Sequence, residues 1–307
     1  MWDEITYLYR VATMRWKNIE NKDEHVLRLA VTEDQQGIVV MGLRSGIISF
    51  ARHYSPSQKE RIKTDLKVQG FEKCYTTLVI TANYQVLLID VQNEKNVNDD
   101  ASLRDYMRDF IDPELEEAVW DYIEVPSKKK ATTTRNYYII AAKKQYLQTK
   151  IDSLKSLGFH INDVQVTETA LCDLVRTLED SREGLIFVYL SQEKASILLI
   201  ENGVLHMMRD IKTGILSDEE RSKELAEDVQ KTLDYCNSNL GEFNEARIVL
   251  ASLPTVPQRL LSHMSDLLTL PGRMVQLEEI SALGAAVQLD ASIELITLGA
   301  LLKRHPV

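Results

Sequence analysis

The sequence is poor in the residues that mark secreted, metal-binding and membrane-spanning proteins. It contains 3 cysteines in 307 residues, and Cys74, Cys172 and Cys236 are far apart and odd in number. This pattern argues against a disulfide framework or a zinc site and favours a reducing compartment. No apolar run approaches the ~20 residues that cross a bilayer, and the polar start, MWDEITYLYR, does not resemble a cleavable signal peptide. We therefore expect a cytoplasmic protein.

Excess positive charge and grouped histidines are also missing. The formal net charge is −10, which argues against a general nucleic-acid binder, because phosphate contacts need a basic face. The 6 histidines are scattered, and no pair has metal-ligand spacing. The stretch Gly42–Gly46 has neither the spacing of a nucleophile elbow nor the ending of a phosphate loop, so we interpret it as a hairpin turn.

What the sequence does contain is a three-strand meander followed by a helix, and this pattern occurs twice. The later copy, Gly184–Gly214, reads GLIFVYLSQEKASILLIENGVLHMMRDIKTG, with an Asn-Gly hairpin signal between its second and third strands. The earlier copy is Leu27–His53. Strands alternating with helices over 307 residues predict an α/β fold of two domains. The repetition favours a duplication, with chance similarity between two meanders as the alternative.

The two copies align when Ile38 is placed on Ile197. The turns before this point then have equal length, and two residues are inserted after it. With that insertion, Gly46 falls on Gly203 and Arg52 on Arg209. The alignment predicts which turns of the two halves correspond.

Several longer stretches carry a family resemblance. Between the copies lie LRDYMRDFI, PELEEAVWDYIEV and YYIIAAKKQYLQTKIDSLKSLGFHINDVQVTETALCDLV, and later LIENGVLHMMRDI and LAEDVQKTLDYCNSNLGEFNEARIVL. In their order and spacing they resemble the actin-like ATPase superfamily and, within it, the PilM family of type IV pilus assembly proteins. The nearest form is MshI, which serves mannose-sensitive haemagglutinin (MSHA) pili. The cytoplasmic domain of the general secretion protein L and the cell-division protein FtsA share the layout.

This resemblance implies a two-domain actin-like fold, of the ribonuclease H-like duplicated type, with a small α+β subdomain inserted in the first half. We expect a helical N-terminal extension at residues 1–22 and a first actin-like subdomain at 23–92. The inserted subdomain is expected at 93–166, and the second actin-like domain at 167–307.

The resemblance also implies where a nucleotide site would lie. Actin-like ATPases hold phosphates in two glycine-containing turns, each preceded by a strand that ends in Asp, and hold the adenosine in a glycine-rich turn after a late strand. In this chain Ala30 and Tyr189 stand at the positions expected to hold the two Asp residues. Glycine is missing from the matching turn positions, which are Glu33, Asp34, Ser191, Gln192, Ala251 and Ser252. Glu168 stands where the family often has an acidic residue, and we assign it no role. We predict no catalytic residue, no cofactor and no metal, with bound ATP and Mg²⁺ as the alternative.

The function implied by the resemblance is a non-catalytic scaffold in a pilus assembly platform. The expected partner is the cytoplasmic tail of a PilN-like bitopic inner-membrane protein, which would hold the chain at the inner membrane. A contact with the pilus motor ATPase and a homodimer are left open, and no nucleic acid is expected. The alternatives are an ATP-binding actin-like switch and a secretion protein L-like cytoplasmic domain.

Overall fold

The computed structural model describes residues 27–92, 100–112, 114–115, 117–125, 134–178, 184–191, 194–212, 218–241, 243, 247–252, 258–277, 280, 289 and 292–303. The helix predicted within residues 1–22 lies outside these ranges. The strands are β1 (Arg28–Glu33), β2 (Ile38–Arg44), β3 (Ile47–Tyr54), β4 (Tyr75–Ile80), β5 (Tyr84–Gln92), β6 (Ala118–Val125), β7 (Thr134–Lys143), β8 (Ile161–Val166), β9 (Leu185–Leu190), β10 (Lys194–Glu201), β11 (Val204–Lys212), β12 (Arg247–Ala251) and β13 (Gly272–Met274). The helices are α1 (Lys59–Val68), α2 (Asp100–Arg108), α3 (Lys144–Ser156), α4 (Thr167–Val175), α5 (Asp218–Asn239), α6 (Gln258–Leu268) and α7 (Ser292–Leu301).

Two five-stranded sheets form the two halves, and they have the same topology. The first has the order β3-β2-β1-β4-β8 and the second β11-β10-β9-β12-β13. In each, an antiparallel meander is extended by two parallel strands. Strands β9 and β10 of the second meander are almost fully buried, and β9 is formed by an unbroken apolar run, as expected of a strand covered on both faces. The third strand, β11, leaves Val204, Arg209 and Asp210 exposed.

The strand register corrects the predicted alignment of the two copies. Val40 pairs with Arg52, and Ile197 pairs with Arg209, so Val40 and not Ile38 corresponds to Ile197. The same offset of 157 residues relates every residue of the first meander to the second, without an insertion. It also relates the two bulges, between Gly42 and Leu43 in β2 and between Leu199 and Ile200 in β10.

Both meanders use the same tight hairpin turn between their second and third strands. Ser45 and Gly46 have φ of 51° and 77°, and Asn202 and Gly203 have φ of 53° and 72°. Two successive residues with positive φ make the turn that matches the right-handed twist of the paired strands. This confirms the hairpin predicted from Asn-Gly. In the Gly42–Gly46 stretch only Ser45 and Gly46 form the turn, because Gly42, Leu43 and Arg44 belong to β2.

The third sheet, of order β5-β7-β6, forms the inserted block, and its extent differs from the predicted one. Strand β5 pairs along its whole length with β7, whereas β8 pairs with β4 in the first sheet. Helix α3 also packs into the core of the first sheet. The block therefore spans residues 84–143 rather than 93–166. Ala118 and Val119 begin β6.

Two helices, α4 and α7, lie between the two large sheets. Alternate residues of β1 face opposite sides: Leu29 and Val31 contact the core that includes α1 and α3, and Ala30 contacts the core that includes α4, α7 and the second sheet. The hydroxyl of Thr297 in α7 donates to the hydroxyl of Thr32 at 2.7 Å. Helices α5 and α6 pack on the second sheet. Among the described helices, none is long and apolar enough to span a membrane.

Candidate functional site

The first turn, between β1 and β2, uses its own side chain to satisfy its backbone. The Asp34 carboxylate accepts the N–H groups of Gln36 and Gly37 at 2.8 and 3.0 Å, and the Asp34 N–H donates to the Gly37 carbonyl at 3.0 Å. A phosphate-binding turn presents such N–H groups to the anion. In this turn three of them are already committed, and the group that accepts two of them is itself an anion.

Glu33, at the end of β1, points away from the space between the two halves. It accepts from Lys59 of α1 at 2.8 Å and from Lys150 of α3 at 2.7 Å. Burial works to raise the pKa of Glu33, but the hydrogen bonds and charges of the two lysines outweigh it and lower the pKa. Glu33 therefore ties two helices to the first sheet.

The second turn, between β9 and β10, repeats this arrangement 157 residues later. The Ser191 N–H donates to the Lys194 carbonyl at 2.9 Å, and the Ser191 hydroxyl accepts the Lys194 N–H at 3.1 Å. Ser191 thus plays the part of Asp34. Gln192 lies outside the described residues. In both turns, a side chain of the turn itself holds a backbone donor that a phosphate would need.

Four side chains form a row across one face of the second sheet. Ala251 pairs with Tyr189, Tyr189 with Ser196, and Ser196 with Asp210. Ala251 and Tyr189 are predicted site positions, whereas Ser196 and Asp210 were not predicted from the sequence. The residue of the first half that corresponds to Tyr189 is Thr32, not Ala30, which is fully buried. Ser252, which follows the row, is half-buried.

Tyr189 belongs to the hydrophobic core that also contains Ala30 and Met41 of the first half. It is 2% exposed, and burial, together with the negative charge of Asp34, raises its pKa. A bulky apolar ring therefore fills the second-half position at which the resemblance led us to expect Asp.

A network of charged residues surrounds the side chain of Lys194. Its ammonium donates to Glu168 of α4 at 3.1 Å and forms an ion pair with Asp210 of β11. Asp210 also accepts from the Ser196 hydroxyl at 2.7 Å, and Glu168 accepts the Tyr84 hydroxyl at 2.9 and 3.0 Å. Glu168 is 3% exposed. This network was not predicted from the sequence. Lys194 occupies the position in the second turn that corresponds to Gly37 in the first turn.

The protonation of this network follows from its burial and its partners. Burial raises the pKa of Glu168, and the positive charge of Lys194 opposes this effect. Burial works to lower the pKa of Lys194, but Glu168 and Asp210 outweigh it and raise the pKa. The ammonium is therefore kept charged between two carboxylates. Glu168 is buried and held by the Lys194 ammonium at 3.1 Å and by the Tyr84 hydroxyl.

Among the described residues, no group of three or more His, Cys, Asp or Glu side chains is arranged to hold a metal ion. Lys194 lies between the two carboxylates nearest the second turn, and two lysines bind Glu33 near the first. The described residues of the two turns therefore do not fit a magnesium–triphosphate group: their backbone donors are held within the turns, and the first turn adds a negative charge.

The sheets, their shared topology and the helices between them define the class of this protein: it has an actin-like fold, with an inserted three-stranded sheet. No protein-family model matches the sequence, and no curated protein matches it significantly. Solved structures do. The PilM-PilN type IV pilus biogenesis complex matches with a TM-score of 0.64 at 12% identity, over 91% of this chain and 98% of that chain. At this identity the likeness shows the shared fold.

Two further structures match with lower scores. A Bacteroides thetaiotaomicron protein with an actin-like ATPase fold and unknown function has a TM-score of 0.48 at 15% identity, over 93% of this chain and 99% of that chain. The ethanolamine utilization protein EutJ from Carboxydothermus hydrogenoformans has a TM-score of 0.42 at 9% identity, over 98% and 96% of the two chains.

Proposed function

We propose that this chain is a non-catalytic actin-like scaffold in a bacterial pilus assembly platform of the type IV, MSHA class. The observation that carries the proposal is the pair of self-satisfied turns. The backbone donors that would face a polyphosphate are held by Asp34 in the first half and by Ser191 in the second. A fold that keeps both halves but commits these donors elsewhere works as a binding platform.

The structural likeness supports the choice of system. A chain of the PilM-PilN type IV pilus biogenesis complex matches over nearly the full length of both chains. In our proposal, this chain likewise binds the cytoplasmic tail of a PilN-like bitopic protein, which holds it at the cytoplasmic face of the inner membrane. Within the PilM family, we propose that this chain corresponds to the MshI form.

The contact region in this proposal is the inserted block. An extended peptide binds either by adding a strand to a sheet edge or by lying in a groove. Both β5 and β6 are edge strands of the third sheet. One side of that sheet packs on α2, through Ile89, Tyr137 and Ile139. The opposite side contacts the second half through Tyr138, whose hydroxyl accepts the Met208 N–H, so we propose the two sheet edges as the surfaces that receive the tail.

The test is co-purification of the full chain with a PilN-like tail peptide, with a scrambled peptide of the same composition as the control. We expect capture by the native peptide alone, and hydrogen exchange slowed by it within residues 84–143. Absence of any interaction with platform proteins would refute the scaffold. The same pull-down, probed for the motor ATPase, tests the second predicted partner, and light scattering tests the homodimer.

A further inference from the structure

The Lys194 network joins three parts of the chain that are distant in sequence. Tyr84 begins the first strand of the inserted block, Glu168 lies in the first turn of α4 between the two halves, and Asp210 belongs to the second sheet. One ammonium contacts both carboxylates, and it lies 5.8 Å from the centre of the Tyr84 ring, at cation–π range. The inserted block, the central helix and the second half therefore meet at a single positive charge.

This arrangement differs from a surface ion pair. The side chains of Lys194 and Glu168 are 24% and 4% exposed, so the pair is largely removed from water. Exposed pairs contribute little, but removal of one partner from a buried pair leaves an uncompensated charge and is strongly destabilising. The Tyr84 hydroxyl donates to Glu168 and the Ser196 hydroxyl donates to Asp210, so both carboxylates are held in place by further hydrogen bonds.

We propose that Glu168, Asp210 and Tyr84 form a binding site for a primary ammonium ion, and that the side chain of Lys194 is its resident ligand. The Lys194 ammonium links α4 to the second sheet through Glu168 and Asp210. It does so at the turn where nucleotide-binding proteins of this fold would hold phosphate. The inference rests on the proposed function: a scaffold that has lost its nucleotide still needs a positive charge to hold its parts in one arrangement.

The site is tested by removing its ligand and supplying it from solution. In the full chain, Lys194→Ala deletes the three outer methylenes and the ammonium, a fragment that n-propylammonium replaces. We expect the variant to unfold about 5–10 °C below the wild type. n-Propylammonium chloride should raise its midpoint and leave the wild type unchanged, whereas tetramethylammonium chloride at equal ionic strength should not, because it has no N–H donor.

A second variant keeps the test decisive if Lys194→Ala does not fold. Lys194→Met retains the aliphatic stem, and combining it with Glu168→Gln also removes the more buried of the two opposing charges, leaving Asp210, whose side chain is 38% exposed. The double variant should be more stable than Lys194→Met alone. Equal rescue by both ammonium ions, equal stabilisation of the wild type, or a double variant no more stable than the single would overturn the site.

These outcomes are separate from those that test the scaffold. The tail pull-down and nucleotide titration use the wild-type chain and do not depend on any Lys194 variant. A failed rescue with an intact tail interaction would remove the ammonium site and keep the scaffold. Rescue by n-propylammonium, in a protein whose wild-type chain does not bind the tail, would keep the ammonium site and remove the scaffold.

Discussion

The substitution Gly299→Ala tests how closely α7 must approach α4. A Cβ at residue 299 would lie 2.0 Å from the carbonyl oxygen of Ala170, 2.8 Å from its carbonyl carbon and 3.1 Å from the Leu174 Cβ. Real Cβ atoms essentially never come within 3.0 Å of another heavy atom, so α7 and α4 must separate by about 1 Å to accept the added carbon. The obstacle is backbone and cannot rotate away.

Two effects of opposite sign decide the magnitude. Alanine is favoured over glycine inside a helix by about 1 kcal/mol. Overpacking a close-packed core costs about 1–3 kcal/mol, and the larger figure applies where backbone blocks the added atom. We therefore expect the free energy of unfolding to fall by about 2 kcal/mol, because the clash outweighs the gain in helix propensity.

Urea unfolding of the full chain measures this change as a lower midpoint with an unchanged slope. Hydrogen exchange supplies an internal control: amides of α4 and α7 should exchange faster, whereas those of the inserted sheet should not. A Gly299→Ala chain that unfolds at the wild-type urea concentration or above it would refute the close approach of the two helices.

Three further predictions concern single contacts. Glu33→Gln should destabilise the chain above pH ~4.5, because the lowered pKa of Glu33 means that its ionised form stabilises the fold. The difference in stability between the variant and the wild type should shrink as the pH falls below that value and Glu33 becomes protonated. Urea midpoints measured across the pH range test this, and a difference independent of pH would contradict it. Tyr138→Phe removes the acceptor of the Met208 N–H, which it binds at 2.7 Å, and should cost about 1–3 kcal/mol and speed exchange of that amide; unchanged exchange would show that the contact is not formed. Asp34→Ala should cost about 1 kcal/mol and Asp34→Asn much less, since Asn keeps the accepting oxygen; equal losses in thermal unfolding would contradict the turn.

The sequence predicts most of the secondary structure because the signals are local. The apolar run 185–190, the Asn202-Gly203 turn and the helical period of α3 each determine their own element. The actin-like architecture follows from the order of these elements and from the resemblance. The boundaries of the inserted block do not, because a strand such as β5 carries no mark of which neighbour it will pair with.

The candidate site was predictable only in part. The absence of glycine from both turns is visible in the sequence, and the structure shows Asp34 and Ser191 holding backbone donors of those turns. The alignment slipped by two residues because apolar strand residues are interchangeable, and the register that separates Thr32 from Ala30 is set by pairing. The Lys194 network joins residues up to 126 positions apart, from Tyr84 to Asp210, and no local pattern announces such a contact.

The most direct test of the scaffold is calorimetric titration of the wild-type chain with ATP and magnesium. Because Asp34 and Ser191 hold the described backbone donors of the two turns, we expect no heat of binding at millimolar nucleotide. Binding with a micromolar dissociation constant would contradict the account and establish a nucleotide-dependent switch.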